Sequence, residues 1–114
     1  LWSARRMMPG FVVRNVSYSL ANVRRLPEVR SAMRRHRKRN PRCAWCGRDG
    51  GGLAVHHIRP VKFFPYLAAQ PENLLTLCHS SRDCHLVVGH MGSWHTWNRY
   101  VTESCSIAEL SKTA

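Results

Sequence analysis

The sequence predicts a small α+β domain whose core is too modest to hold the fold by burial alone. Three observations carry this. The chain has 114 residues and an apolar fraction of 44%, which suits one domain with a limited interior. A helical apolar stripe runs through residues 27–39, and a short apolar run bounded by glycines and a proline occupies residues 53–58. Five cysteines include a Cys43-x2-Cys46 pair with Cys and His downstream. That pattern reads as a metal site in a reducing compartment rather than a disulfide set.

Residues 1–26 read as a basic N-terminal arm, with a turn at Pro9-Gly10 and a short strand over Phe11–Val13. Pro27 and Glu28 open a helix, because proline suits the first turn and an early acid suits the dipole. Val29, Ala32, Met33 and His36 recur at i, i+3, i+4 and i+7 on one face, and Pro41 stops the helix. His36, on the apolar face, reads as a half-buried packing residue rather than a ligand.

Cys43–Cys46 form a knuckle whose tight turn Gly47 relieves, and Asp49-Gly50-Gly51-Gly52 is a hairpin loop. Leu53–Ile58 is a strand ended by Pro60. Residues 61–70, with Phe63, Phe64, Pro65 and Tyr66, form a packed loop with a helical turn. Asn73–Leu77 is a second short apolar run, leading into Cys78. A helix starts near Cys84, carries His85 and ends around Gly89. Trp94 and Trp97, at i and i+3, read as core rather than as platforms for bases. From Thr102 onward the sequence gives only a C-terminal tail (residues 102–114), with Cys105 as a spare buried thiol.

Charge is unevenly spread. The net charge is +12, of which residues 1–42 carry +11 and residues 43–114 only +1. A basic segment ahead of a near-neutral domain points to a polyanion, most naturally nucleic acid; a tail kept for solubility is the plainer alternative. Arg30, Arg34, Arg35, Arg37 and Lys38 crowd one helix without acids to pair, which is costly for a solvated face. As a phosphate-binding face it makes sense, since each guanidinium can fork onto a phosphate and position the protein without reading bases. No apolar run approaches membrane-spanning length and no signal-peptide pattern is visible, so a cytoplasmic setting is expected.

Cys43, Cys46, Cys78 and Cys84 can supply four thiolates to a tetrahedral zinc. The Cys78-x5-Cys84 half is stretched, and His79 stands as a substitute for Cys78; simple buried thiols are the plain alternative. A closed four-ligand site stabilises and does no chemistry, so function falls to the histidines. Adjacent His56 and His57 on a strand point to opposite sides. They therefore divide into one ligand and one acid or base, unless they are ordinary surface imidazoles.

His56-His57, then Asn73-Leu74, then Cys84-His85 resembles the order of functional residues in HNH nucleases. The resemblance spans about residues 41–91, and the helix from Pro27 is similar to one that precedes the motif in zinc-bearing members. It implies a ββα-metal core stapled by zinc, with the leading helix included over residues 27–101. The implied activity is metal-dependent hydrolysis of DNA phosphodiester bonds, as a nick or a double-strand cut. His56 and His85 would hold one catalytic divalent ion (Mg²⁺, Mn²⁺, Ni²⁺ or Zn²⁺). His57 would be the general base, and Asn73 would orient it by hydrogen bonds within the loop.

The chain departs from the family in two further places. His56 stands where Asp is commoner, as in colicin-type nucleases. His90 lies five residues after His85 where several members have four. Five residues turn an α-helix by about 500°, leaving His90 about 140° from His85. The two share a face only if the helix ends or bulges at Gly89. Binding the ion, holding the scissile phosphate, or neither stay open for His90. DNA is the implied partner, met as a monomer or a homodimer. The rival from another class is a zinc-stapled nucleic-acid-binding module without catalysis; a basic structural protein of a ribonucleoprotein particle is a third. The histidine set discriminates, because a pure binder needs no open metal site.

Overall fold

The computed structural model describes residues 20–80 and 82–113. The strand expected at Phe11–Val13 and most of the basic arm lie outside these residues. Helix α1 (Leu20–Val23) leads into α2 (Pro27–Arg39); strands β1 (Leu53–His57) and β2 (Leu74–Cys78) follow, then a π-helical turn (His85–Gly89) and α3 (Val101–Thr113). The result is a small α+β fold.

Helix α2 starts with proline at its first turn and Glu28 behind it, and no side chain caps its N-terminus. It buries Val29 and Ala32, with Met33 and His36 half-buried on the same side. Asn40 ends it, its backbone N–H and its side-chain amide both donating to the His36 carbonyl, at 2.8 and 3.1 Å. The His36 side chain is half-buried, as its place on the stripe implies. His36, Arg37, Lys38 and Arg39 in the last turn suit the negative end of the helix dipole.

The sheet is one antiparallel pair, with Leu53 opposite Cys78, Val55 opposite Thr76 and His57 opposite Leu74. Ile58, expected as the last strand residue, lies past its end but still donates its N–H to the Asn73 carbonyl at 2.8 Å. Two strands alone are marginal in water, so this pair depends on what covers it. Ala32 of α2 packs with Val55 and Leu74. A second cluster joins Leu77 and Cys78 to Cys43, Cys84, Val101 and Cys105. A third cluster joins Val23, Leu26 and Val29 to Val61 and Ala68, fastening the end of the arm and the loop between the strands to α2. That loop holds two short 3₁₀ turns, Pro65–Leu67 and Pro71–Asn73, and is packed as expected.

Beyond Thr102, where the sequence suggests only a tail, the chain is helical. Val101 and Cys105, one turn apart, are its buried residues and sit against the cysteine cluster. Cys105 is the buried thiol expected. No helix among the described residues is long and apolar enough to cross a membrane.

Candidate metal centre and its cavity

Four free cysteines converge. The ligand atoms of Cys43, Cys46, Cys78 and Cys84 lie within 4.8 Å of one another, with Cys46 Sγ 3.9 Å from Cys78 Sγ. A tetrahedral zinc with its usual sulfur distances needs sulfurs about 3.8 Å apart, so this donor set fits. Gly47, at φ 80°, closes the first knuckle. The second knuckle is the stretched one. Asp83 adopts a left-handed φ of 46°, a conformation Asp tolerates better than most residues, and its N–H bonds the Ser80 carbonyl at 2.9 Å. The loop thereby curls back, and the Cys84 N–H reaches Cys78 Sγ at 3.4 Å. His79, the alternative to Cys78, instead turns its ring toward His85 and Trp94.

The thiols differ in acidity. Burial opposes ionisation of Cys43, but backbone N–H groups of Cys46, Cys78 and Trp45 outweigh it and bring Cys43 to about 7. Burial, then the Cys78 and Cys43 sulfurs, hold Cys84 far above the ordinary thiol range. Four thiolates at once therefore require a cation among them.

A second cluster begins at the residue after Cys84, His85. Ligand atoms of His56, His85 and His90 also fall within 4.8 Å of one another. The ring of His56 is 5.0 Å from that of His85 and 4.9 Å from that of His90, centroid to centroid. The five-residue spacing is resolved by the turn type. The His90 N–H donates to the His85 carbonyl at 3.1 Å, the i→i+5 bond of a π-helix. That bond brings residue i+5 back over residue i, as an α-helix does for i+4. Gly89 lets the turn lie on the sheet, since a Cβ there would come within 3.0 Å of the His56 ring and 3.1 Å of Leu77.

The three imidazoles meet a ligand's requirements. His56 is buried, and neither ring nitrogen has a hydrogen-bond partner among the described residues, an orphaned state that is costly unless something accepts the lone pair. His90 donates Nδ1–H to the Thr96 carbonyl at 2.9 Å, the tautomer whose lone pair is on Nε2. His85 Nδ1 sits 3.3 Å from His79 Nδ1. Outer partners of this kind fix ring orientation at metal sites. Burial first, then the neighbouring imidazoles, lowers His56 to about 3 and His85 to about 4. Both are thus neutral and able to ligate at neutral pH.

His57 shares the cavity but not the cluster. It donates Nε2–H to the Ala68 carbonyl at 2.9 Å, leaving Nδ1 with a free lone pair. Because the strand ends at His57, both histidines line one cavity of about 320 Å³, together with Arg24, His85, His90, Trp94 and Trp97. Burial lowers the pKa of His57. The hydrogen bonds of the Asn73 side chain go to the loop and not to His57. Its Oδ1 accepts the Arg59 N–H at 2.8 Å, and its Nδ2 donates to the Arg59 and Leu67 carbonyls at 3.1 and 3.2 Å. It pins both ends of the loop whose next carbonyl, Ala68, holds the His57 ring.

The basic residues divide. Arg30, Arg34 and Arg37 line a groove of about 540 Å³ with Arg24, Arg25 and Met33. Arg24 and Met33 also line the histidine cavity, so the two adjoin. Arg35 faces a different depression beside His36 and Arg39, and Lys38 is exposed and lines neither. Arg24 is the residue the sequence conceals, one arginine in a basic arm until the fold brings it to the histidines. Trp94 overturns its core reading, for it is half exposed.

The depressed histidines make stability depend on pH in a defined direction. Unfolded, they titrate near 6.5, so below that pH the unfolded chain takes up protons the folded cluster refuses. In protein with no divalent ion at the histidines, stability should be full above pH 6.5 and fall as pH drops toward 4. His56 alone gives a slope of up to about 1.4 kcal/mol per pH unit. Urea melts across this range measure it, and a flat profile would mean that His56 is not buried neutral.

Comparison with family models, curated proteins and solved structures brings no match.

Proposed function

We propose that this chain is a metal-dependent endonuclease of the HNH class that hydrolyses DNA phosphodiester bonds. The observation that carries the reading is the division of labour among four histidines in one cavity. His56, His85 and His90 converge, while His57 is anchored through one ring nitrogen and free at the other. The strand–loop–strand–helical-turn order around them is what a ββα-metal core would have.

His56, His85 and His90 would hold the divalent ion, and three imidazoles favour softer ions over Mg²⁺. When bound, it supplies positive charge to the phosphate and the leaving 3′ oxygen. His57 Nδ1 takes the proton from the attacking water, while its Nε2–H stays on the Ala68 carbonyl and keeps the ring aimed. The lowered pKa of His57 keeps it neutral, as a base must be before it acts. Asn73 is a positioning residue, acting through the loop. The four cysteines hold a zinc that ties β2 and the π-helical turn to the knuckle.

The groove beside Arg30, Arg34 and Arg37 is the candidate path for the phosphate backbone. Replacing these three with alanine should lower the slope of log affinity against log salt by about 2 to 3 on duplex DNA. An Arg35→Ala, Arg39→Ala pair, outside the groove, should change the slope much less. Binding titrations across salt concentrations distinguish them, and equal slopes in the triple variant and wild type would take the groove off the phosphates.

The activity test is a supercoiled plasmid incubated with purified protein, with and without each divalent ion. Ion-dependent nicking or linearisation supports the reading. Plasmid that is retarded on a gel and never cut with any ion would favour a zinc-stapled binding module instead.

A further inference from the structure

The histidine cavity has an aromatic rim that hydrolysis of a backbone does not require. Trp94 is 50% exposed, yet its ring lies 4.9 Å from that of His90 and 5.1 Å from that of His85. It therefore stands at the mouth of the cavity rather than under it. Trp97 lines the same cavity, and its indole N–H is buried with no acceptor among the described residues. Phe63, 61% exposed, stacks on Trp97 at 6.5 Å and 29°. Cations accompany these faces: Arg99 lies 4.8 Å over Trp97 and Lys62 5.6 Å over Phe63.

Flat aromatic faces interleaved with cations are what binds a strand whose bases are out of the helix stack. In a duplex the base faces are already covered by their neighbours, so Trp94 could engage one only after it is flipped or unpaired. A double helix laid on phosphate contacts alone would use the arginine groove and leave the rim idle. The rim is also contiguous with the histidines, so a base stacked on Trp94 leaves its own phosphate beside them.

We infer that the site takes an unpaired nucleotide, with its base stacked on Trp94 at the rim and its phosphate at the histidine cluster. This rests on the reading of the chain as acting on nucleic acid and deepens it. The substrate class becomes strands with unpaired bases: single strands, gaps or distorted duplex.

Binding separates this inference from catalysis. The probes are an oligothymidylate and an abasic strand of the same length and charge, measured by fluorescence anisotropy on the full chain without added divalent ion. Wild type should bind the oligothymidylate about tenfold more tightly, since one stacked base is worth roughly that. Trp94→Ala should bind the two strands alike, and Trp94→Phe should keep most of the preference. Equal affinities in wild type, or an undiminished preference in Trp94→Ala, would overturn the inference. Plasmid cleavage tests the other reading independently: a protein that prefers the base-bearing strand and never cuts would lose the nuclease and keep the stacking site.

Discussion

With zinc at the four cysteines as proposed, a Cys43→Ser variant is expected to lose the metal and, with it, a cooperative unfolding transition. Cys43 is buried at 2% exposure and its backbone ties the knuckle together. Its N–H bonds the Arg48 carbonyl at 2.8 Å, and its carbonyl accepts the Gly47 N–H at 2.9 Å. The next residue, Ala44, bonds the Thr76 carbonyl of β2 at 2.8 Å. The surrounding interior is thin, a two-stranded sheet with short helices. A structural zinc contributes about 10–16 kcal/mol to a small domain, and whole domains are stable by only about 5–15 kcal/mol. Losing one of four ligands should therefore abolish the fold rather than soften it. Circular dichroism on heating, with zinc content measured on the same sample, checks this. A variant that melts like wild type while holding no zinc would reduce the four cysteines to buried thiols.

His57→Ala is expected to lower plasmid cleavage by about 10²- to 10⁴-fold, the usual contribution of a general base, with zinc content unchanged. The Ala68 carbonyl loses its donor in this variant, which costs about 1–3 kcal/mol of stability if nothing replaces it. Rates should therefore be compared well below the melting range. His57→Gln, which can restore a donor to Ala68, separates the two effects: its melt should recover while its rate stays low. Cleavage at wild-type speed in either variant would remove His57 as the base.

Much of the scaffold was legible because its signals are local. The 3.6-residue stripe of α2, the proline at its start and the Cys-x2-Cys knuckle each depend on neighbours in sequence. So does the separation of His56 from His57, although the end of the strand lets both reach one cavity. The rest depends on contacts made across the fold. Among its described side chains α3 buries Val101 and Cys105, too narrow a stripe to mark a helix in the sequence. Asn73 was expected to orient His57 by hydrogen bonds within the loop; which groups it bonds, Arg59 and Leu67, only the fold shows. Arg24 and Trp94 have no motif around them; each becomes a site residue because α1 and the turn after Gly89 end beside the histidines. The Cys78-x5-Cys84 half is stretched in sequence, and how its sulfurs still join the other two depends on the left-handed Asp83, which curls the loop back.

The π-helical turn has a consequence for how the chain tolerates insertion and deletion. An i→i+5 turn is an α-helical turn carrying one extra residue. An i, i+4 pair of histidines on an ordinary α-helix also shares one face, so both spacings deliver the same two imidazoles to the same place. Val87, 58% exposed, contributes little burial and is a residue the turn can lose at little cost. A sequence with four residues from one histidine to the next and a sequence with five thus describe one site, and a pattern written with a fixed gap would divide proteins that the backbone treats as equivalent.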